Sequence, residues 1–247
     1  MRDCSLEKID FQTVMQNQTK ADRDSTLYPN QRRNPNSIIL SRGENIVYIK
    51  KEFTLKEYGI YKRFKDITFS EIERIGLPNN PSIRKNYRIV KDYAKHIYEN
   101  IENGVGLFML GDCGTMKTTM SIAVMRELID DNVDYPPSCY FISMTNLLDT
   151  IFSMNNASKE EAARFERKIR NTDLLVIDDL GSENTEYNWV KSKIDSIITE
   201  RYNRMLPCII SSNLTFDELA KTYASRIIDR LRSANKALIF SGQSVRS

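Results

Sequence analysis

The sequence predicts an α/β fold in which a mostly parallel five-stranded sheet is covered by helices on both faces. Three observations predict it. From Ser82 onward, short apolar runs alternate with amphipathic stretches; a glycine-containing loop, Gly111 to Thr118, joins the first of these runs to a helix; and a later run, Leu174 to Ile177, ends in two carboxylates.

Residues 1–80 read as a separate, partly flexible N-terminal module, and 81–247 as the main domain. Apolar residues are scattered in the first part, the polar stretch Tyr28 to Asn36 has no periodicity, and Leu77-Pro78-Asn79-Asn80-Pro81 interrupts the chain. Within that module Ile46 to Ile49 fits a short strand, and Thr54–Phe64 and Phe69–Ile75 fit short helices. Ser82 is placed to cap a helix whose apolar residues Ile83, Tyr87, Val90, Ala94, Ile97 and Ile101 recur at helical spacing before Gly104 ends it. Strands are then expected at Leu107–Leu110, Cys139–Ile142, Leu174–Ile177, Cys208–Ile210 and Ala237–Phe240. Helices are expected from Lys117, around Asn146–Met154, Lys159–Arg170, Tyr187–Met205 and Phe216–Ala220, and at Tyr223–Leu231.

With 40% hydrophobic and 28% charged residues, the composition is that of a soluble globular protein rather than a disordered or membrane one. A net charge of +3 does not announce a nucleic-acid binder, so any such contact has to come from local patches. Cys4, Cys113, Cys139 and Cys208 form no C-x-x-C pair and His96 is the only histidine, which excludes the usual tetrahedral zinc arrangements. Without an apolar leader or a membrane-length run, the expected location is the cytoplasm.

Gly111-Asp112-Cys113-Gly114-Thr115-Met116-Lys117-Thr118, with Thr119 following, sits between a strand and a helix, the context of a phosphate-binding P-loop. Backbone N–H groups of such a loop cradle phosphate charge. Lys117 is placed to neutralise the β and γ phosphates of ATP, and the Thr118 hydroxyl to complete a Mg²⁺ site. Met116 departs from the pattern, which has glycine before the lysine because the backbone there takes a conformation costly for other residues. Weaker ATP binding or slower hydrolysis is the expected consequence.

At the end of the Leu174–Ile177 run, Asp178 is placed to reach the magnesium shell and Asp179 to orient the attacking water. Asn213, after the buried Cys208–Ser212 stretch, taken alone fits a turn or helix-cap residue better, and in the context of the preceding motifs reads as a sensor beside the γ phosphate. Arg226 and Arg230 lie one helical turn apart on one face. Exposed arginines are usually solvated, but one presented to a neighbouring subunit serves as an arginine finger.

With these motifs in this order, residues 82–247 resemble the DnaC/DnaI helicase-loader family of AAA+ ATPases, which also includes the IstB transposition helpers. The most specific stretch runs from Leu174 to Ser233. The resemblance implies a sheet order of 5-1-4-3-2, no C-terminal helical lid, subunits that share ATP sites, Arg230 as first and Arg226 as second candidate for the finger, and Arg246 as a second sensor. It further implies that Asn146–Arg170 is an insertion gripping single-stranded DNA, with Phe152, Lys159, Arg164, Arg167, Lys168 and Arg170 as the groups on offer. By residue type alone, Phe152 fits the core better than a base stack, and the cations also fit a solvated face.

The N-terminal module has no zinc-ligand cysteines and is expected to dock on a hexameric DnaB-type helicase. The implied function is ATP-dependent loading of the replicative helicase onto single-stranded DNA. Three alternatives stay open: an IstB-like transposition helper, an adaptor locked in one nucleotide state by Met116, and a small-molecule phosphotransferase. The sensor and arginine motifs argue against the last.

Overall fold

Packing divides the chain between Glu52 and Phe53, not at residue 80. The expected boundary fails because Ile60, Phe69 and Ile72 are buried in the same apolar cluster as Tyr87, Val90 and Met125, so the segment before Pro81 belongs to the main core. The computed structural model describes residues 37–42, 45–50, 55–131, 136–182 and 188–245, with the backbone alone at 37–50, 154–157 and 188. In the first unit, β1 (Ser37–Arg42) and β2 (Asn45–Lys50) form an antiparallel pair in register from Ser37 opposite Lys50 to Arg42 opposite Asn45.

The second unit opens with a 3₁₀ turn, Lys62–Phe64, in place of the longer helix expected there, followed by α1 (Phe69–Ile75), capped by the Thr68 side chain. Next come α2 (Pro81–Lys95) and α3 (Ile97–Glu102). The cap of α2 is Asn80, whose side chain accepts from the Ile83 N–H at 3.1 Å, and not Ser82. Pro81 explains the shift, since its fixed φ and missing N–H suit the first helical position. Ser82 instead accepts from the Ser241 N–H and donates to the Ile239 carbonyl, both at 3.2 Å. The single helix expected up to Gly104 breaks at His96, yet all its apolar positions remain buried.

The remaining elements alternate: β3 (Gly106–Gly111), α4 (Lys117–Ile129), β4 (Cys139–Ser143), α5 (Met144–Ala157), α6 (Lys159–Asn171), β5 (Leu174–Asp178), α7 (Asn188–Asn203), β6 (Cys208–Ser212), α8 (Phe216–Thr222), α9 (Ser225–Ala234) and β7 (Asn235–Phe240). These five strands are parallel and lie in the order β4-β5-β6-β3-β7. Numbered first to fifth, that is 2-3-4-1-5, the predicted order read from the opposite side.

Because side chains alternate across a strand, each central strand feeds two cores. Leu107, Met109, Val176 and Ile209 pack with α2 and α4, while Phe108, Leu110, Leu175, Ile177 and Ile210 pack with α5, α7 and α9. Arg201 of α7 is fully buried. Its guanidinium donates to the carbonyls of Ile169, Thr172 and Pro207 at 2.8 to 2.9 Å, tying α6 to the starts of β5 and β6. No described helix is long and apolar enough to cross a membrane.

Candidate nucleotide site

In a parallel sheet, the loops after the strands gather at one edge, where ligands of open α/β folds bind. Gly111 closes β3, Asp178 closes β5, Asn213 follows β6 and Gly242 follows β7, so these four strands deliver the candidate groups to one place. The 111–118 loop turns on two glycines. Gly111 has φ +118, and a Cβ there would lie 1.9 Å from the Phe240 carbonyl oxygen; at Gly114, φ +72, it would lie 2.0 Å from Ser244 Oγ. The loop is therefore held against the end of β7 and the residues that follow it too closely for side chains at either position.

Met116 supplies the last turn of the loop and caps α4 with φ 70 and ψ 13, the left-handed conformation that favours glycine. The strain that its identity suggests is present in the backbone. Its side chain is partly buried against the α2–α4 core, where packing offsets some of that cost.

Lys117 is buried, and its Nζ donates to the carbonyl oxygens of Gly111 and Asp112, each at 2.7 Å. Burial lowers its pKa, opposed by the charges of Asp179, Asp178 and Asp112 and by Cys113. The ammonium thus waits among carbonyl dipoles and negative side chains, a position from which phosphate oxygens are natural acceptors. Thr115 braces the loop by donating its hydroxyl to the Asp112 carbonyl at 2.7 Å.

Thr118 Oγ1 donates to the Asp178 carboxylate at 2.9 and 3.0 Å, joining the start of α4 to the end of β5. A hydroxyl and a carboxylate in contact are hard oxygen donors, and Mg²⁺ takes such a pair together with waters and phosphate oxygens. The side chains present therefore fit that ion. Burial raises the pKa of Asp178, countered by hydrogen bonds from Ser211 and Thr118.

Ser211 carries no motif in the sequence, yet it organises both acids: its hydroxyl donates to Asp178 and accepts from the Asp179 N–H at 3.0 Å. Asp179 sits at φ 60, and its carboxylate accepts from Asn213 Nδ2 at 2.8 Å. The geometry joins the acid and the polar residue assigned to the attacking water. The signal in the sequence is the pair Ser211-Ser212 ending an otherwise apolar strand, where a hydroxyl needs a buried partner.

The segment after β7 closes over the loop. The Gly242 N–H donates to Asp112 Oδ2 at 2.8 Å, and the Val245 N–H to the Gly114 carbonyl at 3.0 Å. Gly114 through Thr119, Asp179, Asn213 and Val245 enclose a cleft of about 70 Å³, roughly two water volumes. Arg246 lies outside the described residues. Cys113 is exposed.

Arg230 lies elsewhere. Helix α9 runs directly into β7, so its C-terminal end stands at the start of the strand, opposite the edge that carries the loop. Arg230 lines a cleft of about 630 Å³ with Gly104, Val105, Pro207, Cys208 and Asn235, at the starts of β3, β6 and β7. Arg226 and Arg230 both contact Asp195 of α7.

The Asn146–Arg170 segment forms α5 and most of α6. Phe152, whose residue type favours the core, is 61% exposed and stacks on Trp189 of α7, ring centroids 6.5 Å apart and planes at 28°. Trp189, also exposed, escapes sequence reasoning because its isolated indole fits no motif. Lys159, Arg164 and Arg167 are exposed. Lys168 is instead committed to its own chain, with Nζ 3.6 Å from the Tyr140 ring centre and donating to the Glu57 carbonyl. Arg170 pairs with Glu200 at 2.6 Å and with Glu166. Both cations thus have partners within the chain, although Lys168 remains exposed.

The chain resembles several known proteins. The replicative helicase loader DnaI of Bacillus subtilis (strain 168) is 25% identical over 181 residues, 72% of this chain and 54% of that protein; the chain thus spans about half the length of this relative. A crystal structure of the DnaC helicase loader superposes with a TM-score of 0.63 at 23% identity, covering 73% of this chain and all of that one. The replication initiator DnaA, bound to AMPPCP and single-stranded DNA, gives a TM-score of 0.57 at 16% identity over 72% of this chain and 50% of that one. These two structures share the fold. The family described as IstB-like ATP binding protein matches residues 78–247, the span that holds the phosphate loop, both acids, Asn213 and the arginine helix, and the chain belongs to that family.

Proposed function

We propose that the protein is an ATP-controlled loader of a DnaB-type hexameric replicative helicase onto single-stranded DNA, acting in the cytoplasm. The observation that carries the nucleotide part is the 111–118 loop with Lys117 Nζ on the Gly111 and Asp112 carbonyls and the adjacent Thr118 hydroxyl on the Asp178 carboxylate. ATP, bound with Mg²⁺, would supply a γ phosphate whose transfer to water releases energy for a change of state. Lys117 exchanges the Gly111 and Asp112 carbonyls for phosphate oxygens, and the loop amides face the same charge. Thr118 and Asp178 would hold the metal, and Asp179, steadied by Asn213, would orient the attacking water.

Protomers associate through shared sites, with Arg230, and after it Arg226, offered to the neighbour's phosphate. Such a role in trans suits a position at the sheet edge away from the protomer's own loop. Arg246 is the proposed second sensor. For single-stranded DNA the grip consists of the exposed Phe152 with Lys159, Arg164 and Arg167, while Lys168 and Arg170 brace the segment. Residues before Pro81 carry the helicase contact.

A pull-down with a replicative helicase in ATP and in ADP tests this reading. Helicase capture that changes between the two nucleotides supports it; capture of a transposase without helicase would replace it by the transposition-helper reading. The left-handed Met116 favours one further reading, an adaptor that binds ATP without turning it over. A native protein without turnover and a Met116→Gly variant with it would support the adaptor.

A further inference from the structure

Asp195 lies on α7 and faces α9. Its side chain is only 15% exposed, against 65% for Arg226 and 28% for Arg230. Arg226 reaches the carboxylate with both Nε, at 3.2 Å, and Nη2. Arg230 approaches it at 3.6 Å and donates the same Nη1 to Thr199 Oγ1 at 2.8 Å. Thr199 in turn donates to Asp195 Oδ1 at 3.2 Å. A hydroxyl has one proton, so a threonine that gives it to the carboxylate presents a lone pair to the arginine. The four side chains form one relay in which the acid fixes the hydroxyl and the hydroxyl fixes the guanidinium.

An unrestrained arginine side chain carries rotamer entropy that has to be lost when it meets a phosphate. Holding the guanidinium in advance removes part of that loss. We propose that Asp195 is a positioning residue for the arginine acting in trans: through Thr199 it sets the orientation in which Arg230 meets a neighbouring protomer's γ phosphate, with Arg226 as the second cation on the same carboxylate. The proposal rests on the finger reading above. A plain surface ion pair would contribute little and would not distinguish one bound nucleotide from another.

The test is sedimentation of the full chain with Mg²⁺ and either a non-hydrolysable ATP analogue or ADP, which makes the result independent of turnover. The native chain assembles more tightly with the analogue. Asp195→Ala reduces the analogue-to-ADP ratio of association constants about tenfold, and Asp195→Asn, which keeps an acceptor for Thr199, restores much of it. In an Arg230→Ala background, Asp195→Ala changes the ratio by less than about twofold, because the two residues act as one unit.

Equal weakening in both nucleotides, or a full additional loss in the Arg230→Ala background, overturns the positioning role. Should Asp195→Ala fail to fold, Thr199→Val carries the test: a reduced ratio supports the role, and a ratio equal to the native one overturns it. A ratio that survives Arg230→Ala itself overturns the finger reading, and the proposal with it.

Discussion

The two edges of the central sheet are built on opposite plans. At the edge after the strands, polar groups satisfy one another within one protomer: Lys117 on carbonyls, Thr118 and Ser211 on Asp178, Asn213 on Asp179. That edge is backed by two apolar cores. On the α9 side, Arg226 and Arg230 share one carboxylate, and much of Arg226 faces solvent. The difference is that polar groups at the first edge are satisfied around one loop, whereas the second leaves much cationic surface in solvent, which in the proposed reading is offered to a partner.

Substitutions can break this contrast at either end. The largest effect is expected at the open edge: Arg230→Ala lowers ATP turnover of the assembled protein on the order of 10³-fold. It leaves nucleotide affinity of the isolated protomer within about twofold, as read by calorimetry on dilute protein. Equal loss in an isolated protomer would erase the distinction between the edges.

At the closed edge, Lys117→Ala should weaken ATP binding about 100-fold while the nucleotide-free protein still unfolds cooperatively. Loss of folding with unchanged affinity would make Lys117 a structural residue.

Much of this contrast is legible in the sequence, because strands ending in charged or polar residues announce their own edge. The runs Leu174–Ile177 and Cys208–Ile210 give strand, burial and the position of the acids together. The alternating four- and three-residue spacing around Val90 gives the helical face, though not the break at His96. What the sequence conceals are contacts made at long range. Ser211 becomes visible only when β5 and β6 are paired, and Arg201 reads as one more surface cation until the carbonyls of two separate segments, at Ile169–Thr172 and Pro207, converge on it. Lys168 and Arg170 belong to a basic helix face by spacing, but the rings and acids they meet come from Tyr140, Glu166 and Glu200. The boundary at Glu52 is hidden because Ile60, Phe69 and Ile72 are too sparse to show periodicity, yet each fills the core.

Met116 sharpens the contrast at the closed edge. A left-handed residue other than glycine costs about 1–2 kcal/mol, and replacing Met116 by glycine removes that strain together with its packing. Met116→Gly should therefore change ATP affinity by no more than about threefold and raise turnover by no more than about tenfold. Calorimetry and steady-state hydrolysis check the two halves.

The smallest effect concerns acid. Hydrogen bonding from Arg226, with the charge of Arg230, holds the Asp195 carboxyl below its usual range, so its contribution is present above the ordinary carboxylate pKa and is lost as pH falls through the lowered one. The difference in melting temperature between the native chain and Asp195→Asn should be present at neutral pH and close under acid. A gap independent of pH would remove the charge from the explanation.

The central claim is that the loop from Gly111 to Thr118 and the carboxylate of Asp178 together hold a magnesium nucleotide, and titration calorimetry of the folded chain with Mg·ATP tests it most directly. One saturable site per protomer is predicted, weakened when magnesium is chelated or when Asp178 is replaced by Asn. Absence of any uptake at millimolar nucleotide by a cooperatively folded sample would contradict it.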